Sequence, residues 1–220
     1  MDFHPIWLTL KVATLATGLA MTGGVALAFV LSRVRFPGCN WLDAAISLPL
    51  VLPPTVVGYY LIVLLGRNGW LGQWLQKYLG VTLMFSWQGA VIAAAVVGLP
   101  LVYKTARAAF EALDHTLEQA ARTMGASEWT LFWRICIPMA WRGILAGTML
   151  AFARAMGEFG ATLMIAGNLP GRTQTLSTAI YAAVQAGQDH HANVLVAIAS
   201  VLGLLILYGS GRLLKTRSRV

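Results

Sequence analysis

The chain has 220 residues, 58% of them hydrophobic and 11% charged, with a mean hydropathy of +0.69 and a formal net charge of +8. Soluble globular domains carry about 25% charged residues, so the composition excludes one and points to an integral membrane protein. In a soluble domain, 16 Lys and Arg against 8 Asp and Glu would suggest nucleic acid; here the placement of those charges sets membrane orientation instead.

A hydrocarbon core about 30 Å thick takes roughly 17 to 25 apolar residues per helix. Such segments run from Ile6 to Leu31, Ile46 to Leu65, Phe85 to Tyr103, Gly143 to Gly167 and Val194 to Tyr208. The expected fold class is therefore all-α integral membrane, a single transmembrane domain over residues 1–220 with five membrane helices. A sixth is added if Leu176 to Ala186 dips into the bilayer, although its Ser, Thr and Gln content favours a short interfacial helix. The N-terminal MDFHP lacks the basic leader and small-residue cleavage site of a signal peptide, so the first segment is expected to be retained. In the second segment Pro49, Pro53 and Pro54 predict a kink or break near mid-membrane, because proline removes a backbone donor and clashes with the preceding turn. That break reads equally as a structural bend or as part of a translocation path.

The fourth segment contains AFARAMGEFGA, which puts Arg154 and Glu158 one helical turn apart. With helix entry near Gly143, they would lie about 16 Å and about 22 Å deep. Each such charge costs on the order of 2.5 to 3.5 kcal/mol on insertion scales, so both should face the bundle interior, a partner or water. One reading is an intrahelical ion pair that stabilises the bundle. The other is that Arg154 attracts an anionic substrate while Glu158 keeps it from being trapped, with Gly157 and Gly160 permitting close packing or a mobile constriction.

Orientation follows from the connections, since basic residues near segment ends stay cytoplasmic. Eleven fall on one side: Arg33, Arg35, Lys104, Arg107, Arg122, Arg134, Arg142, Arg212, Lys215, Arg217 and Arg219. Only Lys11, Arg67, Lys77 and Arg172 fall on the other. The N-terminus is thus expected outside, the C-terminus inside, and residues about 104–138 form the largest cytoplasmic connection. Within it, Leu113, Leu117, Ala120, Ala121 and Met124 share one helical face and Glu111, Asp114, Glu118 and Arg122 the other. Gly125 ends this helix, Ser127 can cap a second with apolar face Trp129, Phe132 and Trp133, and Pro138 suits the first turn of the next membrane helix. A helix, glycine turn and second helix of this kind suit either docking of another protein or rest on lipid headgroups.

The run QAA, three residues, Gly125, nine residues, Ile135, one residue, Ile137 and Pro138 resembles the EAA signature of the membrane subunits of bacterial ABC importers. Gln119 stands where the signature has Glu, with Glu118 one residue earlier, and Ile137 replaces Leu. Either Glu118 or Gln119 could then supply the polar contact attributed to the motif. The resemblance implies a MetI-like permease fold, with Glu118, Gln119, Ala120, Ala121, Gly125, Ile135 and Pro138 in a coupling helix seated in an ATPase subunit. The wider chain, including PLVLPPTVVGYYL, RNGWLGQWL and AFARAMGEFGATLMIAGNLPGRTQTL, is similar to permeases for molybdate, with those for sulfate and tungstate as close relatives. It implies a homodimer in the bacterial inner membrane, two ATPase subunits carrying ATP and Mg²⁺, and an extracytoplasmic oxyanion-binding protein. The path would then involve Pro53, Pro54, Arg154, Gly157, Glu158 and Gly160. No cofactor is expected on this chain.

Other chemistry finds little support. GLPLVYKT from Gly98 to Thr105 has Tyr103 where a P-loop needs its second glycine. Cys39 and Cys136 are isolated, and His190 and His191 beside Asp189 lack further metal ligands. His115 reads as solvated on the polar face of the cytoplasmic helix. A secondary transporter would want inverted repeats, and a haem-bearing anchor paired histidines inside the segments; neither pattern is visible. A membrane enzyme is not expected.

Overall fold

The computed structural model describes residues 3–34 and 36–215. Arg35, Arg217 and Arg219 of the charge count lie outside the described residues, as do the side chains of His115 and Lys215. Among the described residues the chain is helical, without strands. Its elements are α1 (His4–Arg33), α2 (Cys39–Ser47), α3 (Pro54–Leu65), α4 (Trp70–Leu79), α5 (Trp87–Glu111), α6 (His115–Thr123), α7 (Glu128–Leu131), α8 (Ile137–Met156), α9 (Gly160–Ala166), α10 (Leu176–Gln185) and α11 (Asp189–Lys215). A 3₁₀ turn, Leu48–Leu50, follows α2, and a π-helical turn, Phe132–Cys136, joins α7 to α8.

Among these residues four helical stretches are long and apolar enough to cross a bilayer: His4–Arg33, Trp87–Glu111, Glu128–Met156 and Asp189–Gly209. Cys39–Leu50 and Pro54–Leu65 make a fifth if taken as one span, bent by 112°. The prolines produce that bend: Pro53 is extended (φ −52°, ψ 137°) and Pro54 opens α3, where a missing N–H costs nothing. The expected second segment thus exists as two helices, the first reaching back to Cys39. At 10 residues, α10 covers about 15 Å and does not span.

The centre of the bundle is α1 against α5. Ala13, Ala16, Ala20 and Ala28 on α1 face Ala90, Ala93, Ala94 and Ala106 on α5, all fully or almost fully buried. With no hydrophobic drive between helices in lipid, such small residues let the backbones approach closely. The two helices run in the same direction: Lys11 lies over the Trp87 ring near their starts, and Phe29 meets Phe110 near their ends. Against them α8 runs antiparallel, with its Gly143, Gly147 and Ala151 beside Ala109, Thr105 and Gly98 in turn. By contrast α11 leaves Val201, Leu204, Leu205 and Leu207 exposed, the apolar surface a lipid-facing helix needs.

Two expectations change here. The fourth span starts ahead of Gly143, because the helix is continuous from Glu128 through the π turn, and it stops at Met156 instead of reaching Gly167. Arg154 therefore lies in the last turn of α8, about 26 Å along its axis, and Glu158 falls in a non-helical break before α9. His190 and His191, expected in an outer loop, form the exposed first turn of α11.

Candidate functional site

Two regions carry the residues singled out in the sequence. The first is the α6–α7 hairpin. Asp114 caps α6 by accepting from Thr116 N, and Ser127 caps α7 by accepting from Thr130 N. Gly125 turns the chain between them at φ +84°, the left-handed region where a Cβ is penalised. Arg122 binds Glu128 across the turn at 2.7 Å, and this hydrogen bond raises the guanidinium's pKa above its ordinary range.

The faces of α6 differ from the expected ones. Glu118, placed on the polar face by periodicity, is only 4% exposed. It accepts from Arg33 Nη2 at 2.6 Å, with Arg122 a more distant partner at 3.8 Å. Beside it Ala121 is buried, while Leu117 and Ala120 of the expected apolar face are exposed and Met124 is 82% exposed. The helix buries an ionic contact and presents apolar side chains outward, and Arg33 at the end of α1 supplies the partner that a buried carboxylate requires. Gln119 is exposed, Ile135 half-buried, and Pro138 exposed in the first turn of α8. Trp129 and Trp133 are exposed as well, with Phe132 anchored edge-on against Phe29 at 4.5 Å.

The second region lies where the two broken helices meet. A Cβ on Gly160 would stand 2.9 Å from Pro54 Cβ, so the start of α9 sits directly on the start of α3. Glu158, 3% exposed, accepts from Ala161 N at 2.9 Å through Oε1. Arg154 Nη1 lies 2.7 Å from Oε2, in charge contact but without hydrogen-bond alignment. The break itself favours this pair. Arg154 sits at the negative end of α8 and Glu158 at the positive end of α9, so each charge meets a helix dipole of opposite sign. Gly157, at the C-cap of α8, is exposed, and a Cβ there would meet nothing within 4 Å. Pro53 is exposed at the same level of the fold as the bend.

Sequence reasoning missed a third cluster. Asp43 on α2 accepts from Tyr103 Oη at 2.7 Å, Lys104 Nζ at 2.6 Å and Arg107 Nη1 at 2.6 Å, fastening α2 to the end of α5. The available signal was an acidic residue, Asp43, just ahead of the second apolar segment, with Lys104 and Arg107 just beyond the third. Cys136, isolated in the sequence, is buried against Arg33 Nη2 at 3.0 Å.

Comparison with known proteins settles the class of the chain. Residues 20–220 match the family described as binding-protein-dependent transport system inner membrane component. The chain belongs to this family. Membership makes it a membrane-embedded transport subunit of an ATP-driven importer, and the relatives it resembles are transport permease proteins. It is 45% identical over 207 residues to the molybdenum transport system permease protein ModB of Escherichia coli K12, covering 94% of this chain and 90% of that protein. With the sulfate transport system permease protein CysT of the same organism, identity is 35% over 185 residues, 84% of this chain and 66% of the relative. The MetNI methionine ABC transporter, crystallised facing inward, shares the fold at a TM-score of 0.73 and 16% identity, over 98% of this chain and 95% of that one. The expected MetI-like architecture is thus observed.

Proposed function

We propose that this chain conducts molybdate across the inner membrane as one half of a homodimer, driven by two separate ATPase subunits that carry ATP and Mg²⁺. An extracytoplasmic oxyanion-binding protein would deliver the cargo. The observation that carries the anion is the 45% identity with the Escherichia coli molybdenum permease along nearly the whole chain. The outward side chains of α6 support the coupling role. Leu117, Ala120 and Met124 are exposed, so most of the face that periodicity alone would bury is open to a partner, and Gln119 is exposed beside it. Glu118 is already engaged inside the chain, which favours Gln119 for the polar contact with the ATPase. Ala121, Ile135 and Pro138 set the hairpin's position, and Gly125 its angle. On the membrane side, Arg154 gives an anion a favourable local potential beside the junction of Pro53, Pro54, Gly157 and Gly160, and Glu158 weakens its hold so that the ion leaves. The termini follow the basic residues, N-terminus outside and C-terminus cytoplasmic.

The test is uptake by proteoliposomes holding this chain, its ATPase and the binding protein. Molybdate should enter only with ATP, and tungstate should compete more strongly than sulfate. Uphill uptake without the ATPase would refute the importer reading, and preference for sulfate would move the chain to the sulfate permeases, which share 35% identity with it.

A further inference from the structure

We propose that Arg33 and Glu118 form the joint through which motion of α6 reaches the membrane helices, with Arg33 a positioning residue for transport. The proposal rests on the coupling role given to α6 above. Arg33 is the last residue of α1, and its guanidinium touches two other parts of the chain directly and α5 through the Phe29 ring. Nη2 donates to Glu118 Oε1 at 2.6 Å and lies 3.0 Å from Cys136 Sγ in the π turn. The guanidinium carbon stands 3.8 Å from the centroid of Phe29, whose ring meets Phe110 of α5 at 5.6 Å and Phe132 of the π turn at 4.5 Å. Nη1 is held back to its own helix by Ser32 Oγ at 3.3 Å.

One side chain therefore gathers α1, α5, α6 and the entrance to α8. Glu118 is 4% exposed, so this ion pair is out of reach of a partner docking on the opposite, exposed face. A buried carboxylate without its cation is costly, which makes the contact stiff: α6 cannot shift without dragging Arg33 or breaking the pair. Because α1 packs along α5 through both halves of the core, a pull on Arg33 moves the centre of the bundle. The adjoining π turn is a departure from regular helix of the kind that recurs at functional sites, and here it lies where α8 must pivot.

The test uses the assembled transporter in proteoliposomes and reads molybdate transported per ATP hydrolysed, alongside co-purification of the ATPase. Glu118→Gln and Arg33→Ala should retain the ATPase and hydrolyse ATP while the ratio falls at least tenfold. Arg33→Lys keeps the charge but loses the planar fork that reaches Glu118 and Cys136 together, and should give an intermediate ratio. It also carries the test, by the same criterion, if the alanine variant fails to reach the membrane. An unchanged ratio in the variants, including in whatever complex remains after weakened assembly, assigns the pair to structure alone and overturns the proposal. A wild-type protein whose uptake ignores ATP would instead refute the coupling role itself.

Discussion

Glu158 does two jobs with its two oxygens, and they can be separated. Oε1 caps α9 through Ala161 N, while Oε2 faces Arg154. Glu158→Gln keeps an oxygen for the cap and removes the charge. Glu158→Ala removes both and leaves a buried N–H without a partner, a cost of about 1 to 3 kcal/mol. Thermal unfolding in detergent should therefore register Glu158→Ala clearly and Glu158→Gln weakly. Uptake should fall several-fold in Glu158→Gln, because Arg154 then holds the anion without an opposing charge. Unchanged uptake in that variant would remove Glu158 from the path and leave it a capping residue. The sequence makes Arg154 and Glu158 visible because charges in apolar segments are rare, and it even indicates their pairing. Their setting is not visible there: a run of Gly157, Glu158, Phe159 and Gly160 has the composition of a tolerated helix in lipid, and only tertiary packing on Pro54 shows that it breaks. Periodicity misplaces Glu118 for a similar reason. It weighs apolar against polar within one helix, whereas the partner Arg33 is 85 residues away.

At the level of elements, long apolar helices are the most legible. The expected first, third and fifth segments correspond to α1, α5 and α11, and the proline cluster falls at the 112° bend. Element ends are less so, since the π turn fuses α7 to α8 without any hydropathy signal. The hairpin turn is legible to the residue, and it can be tested there. A Cβ on Gly125 would meet nothing within 4 Å, so any substitution effect comes from its φ of +84° and not from a clash. Forcing a β-branched residue into that region costs on the order of 1 to 3 kcal/mol, which α6 can relieve only by tilting against α7. Gly125→Val should insert in the membrane and leave ATP hydrolysis by the ATPase subunits in place, with uptake reduced at least tenfold. Gly125→Ala should lie between it and the wild type, and Gly125→Asn near the wild type, because Asn visits left-handed backbone more readily. Normal uptake by the valine variant would show that the hairpin angle is not what transmits force.

For the whole molecule, the two ends of the bundle differ in kind. Arg33, Lys104, Arg107 and Arg122 gather with Glu118, Asp43, Glu111 and Glu128 at the end that bears α6, whereas Lys11 at the other end lies over Trp87. In the proposed orientation the end that bears α6 lies in the cytoplasm, where the proposed ATPase docks. Both consequences can be read with one reagent. Met124 is 82% exposed on α6 and Arg172 is exposed in the connection before α10, while Cys136 is buried. In a Cys39→Ser background, a membrane-impermeant maleimide should label Met124→Cys only in inside-out vesicles and Arg172→Cys only in right-side-out ones. Adding the ATPase should then protect Met124→Cys and leave Arg172→Cys reactive. Reversed labelling would invert the orientation. Correct labelling without protection would keep the topology and remove the partner from the face of α6, since a thiol beneath a seated subunit cannot react at its free rate.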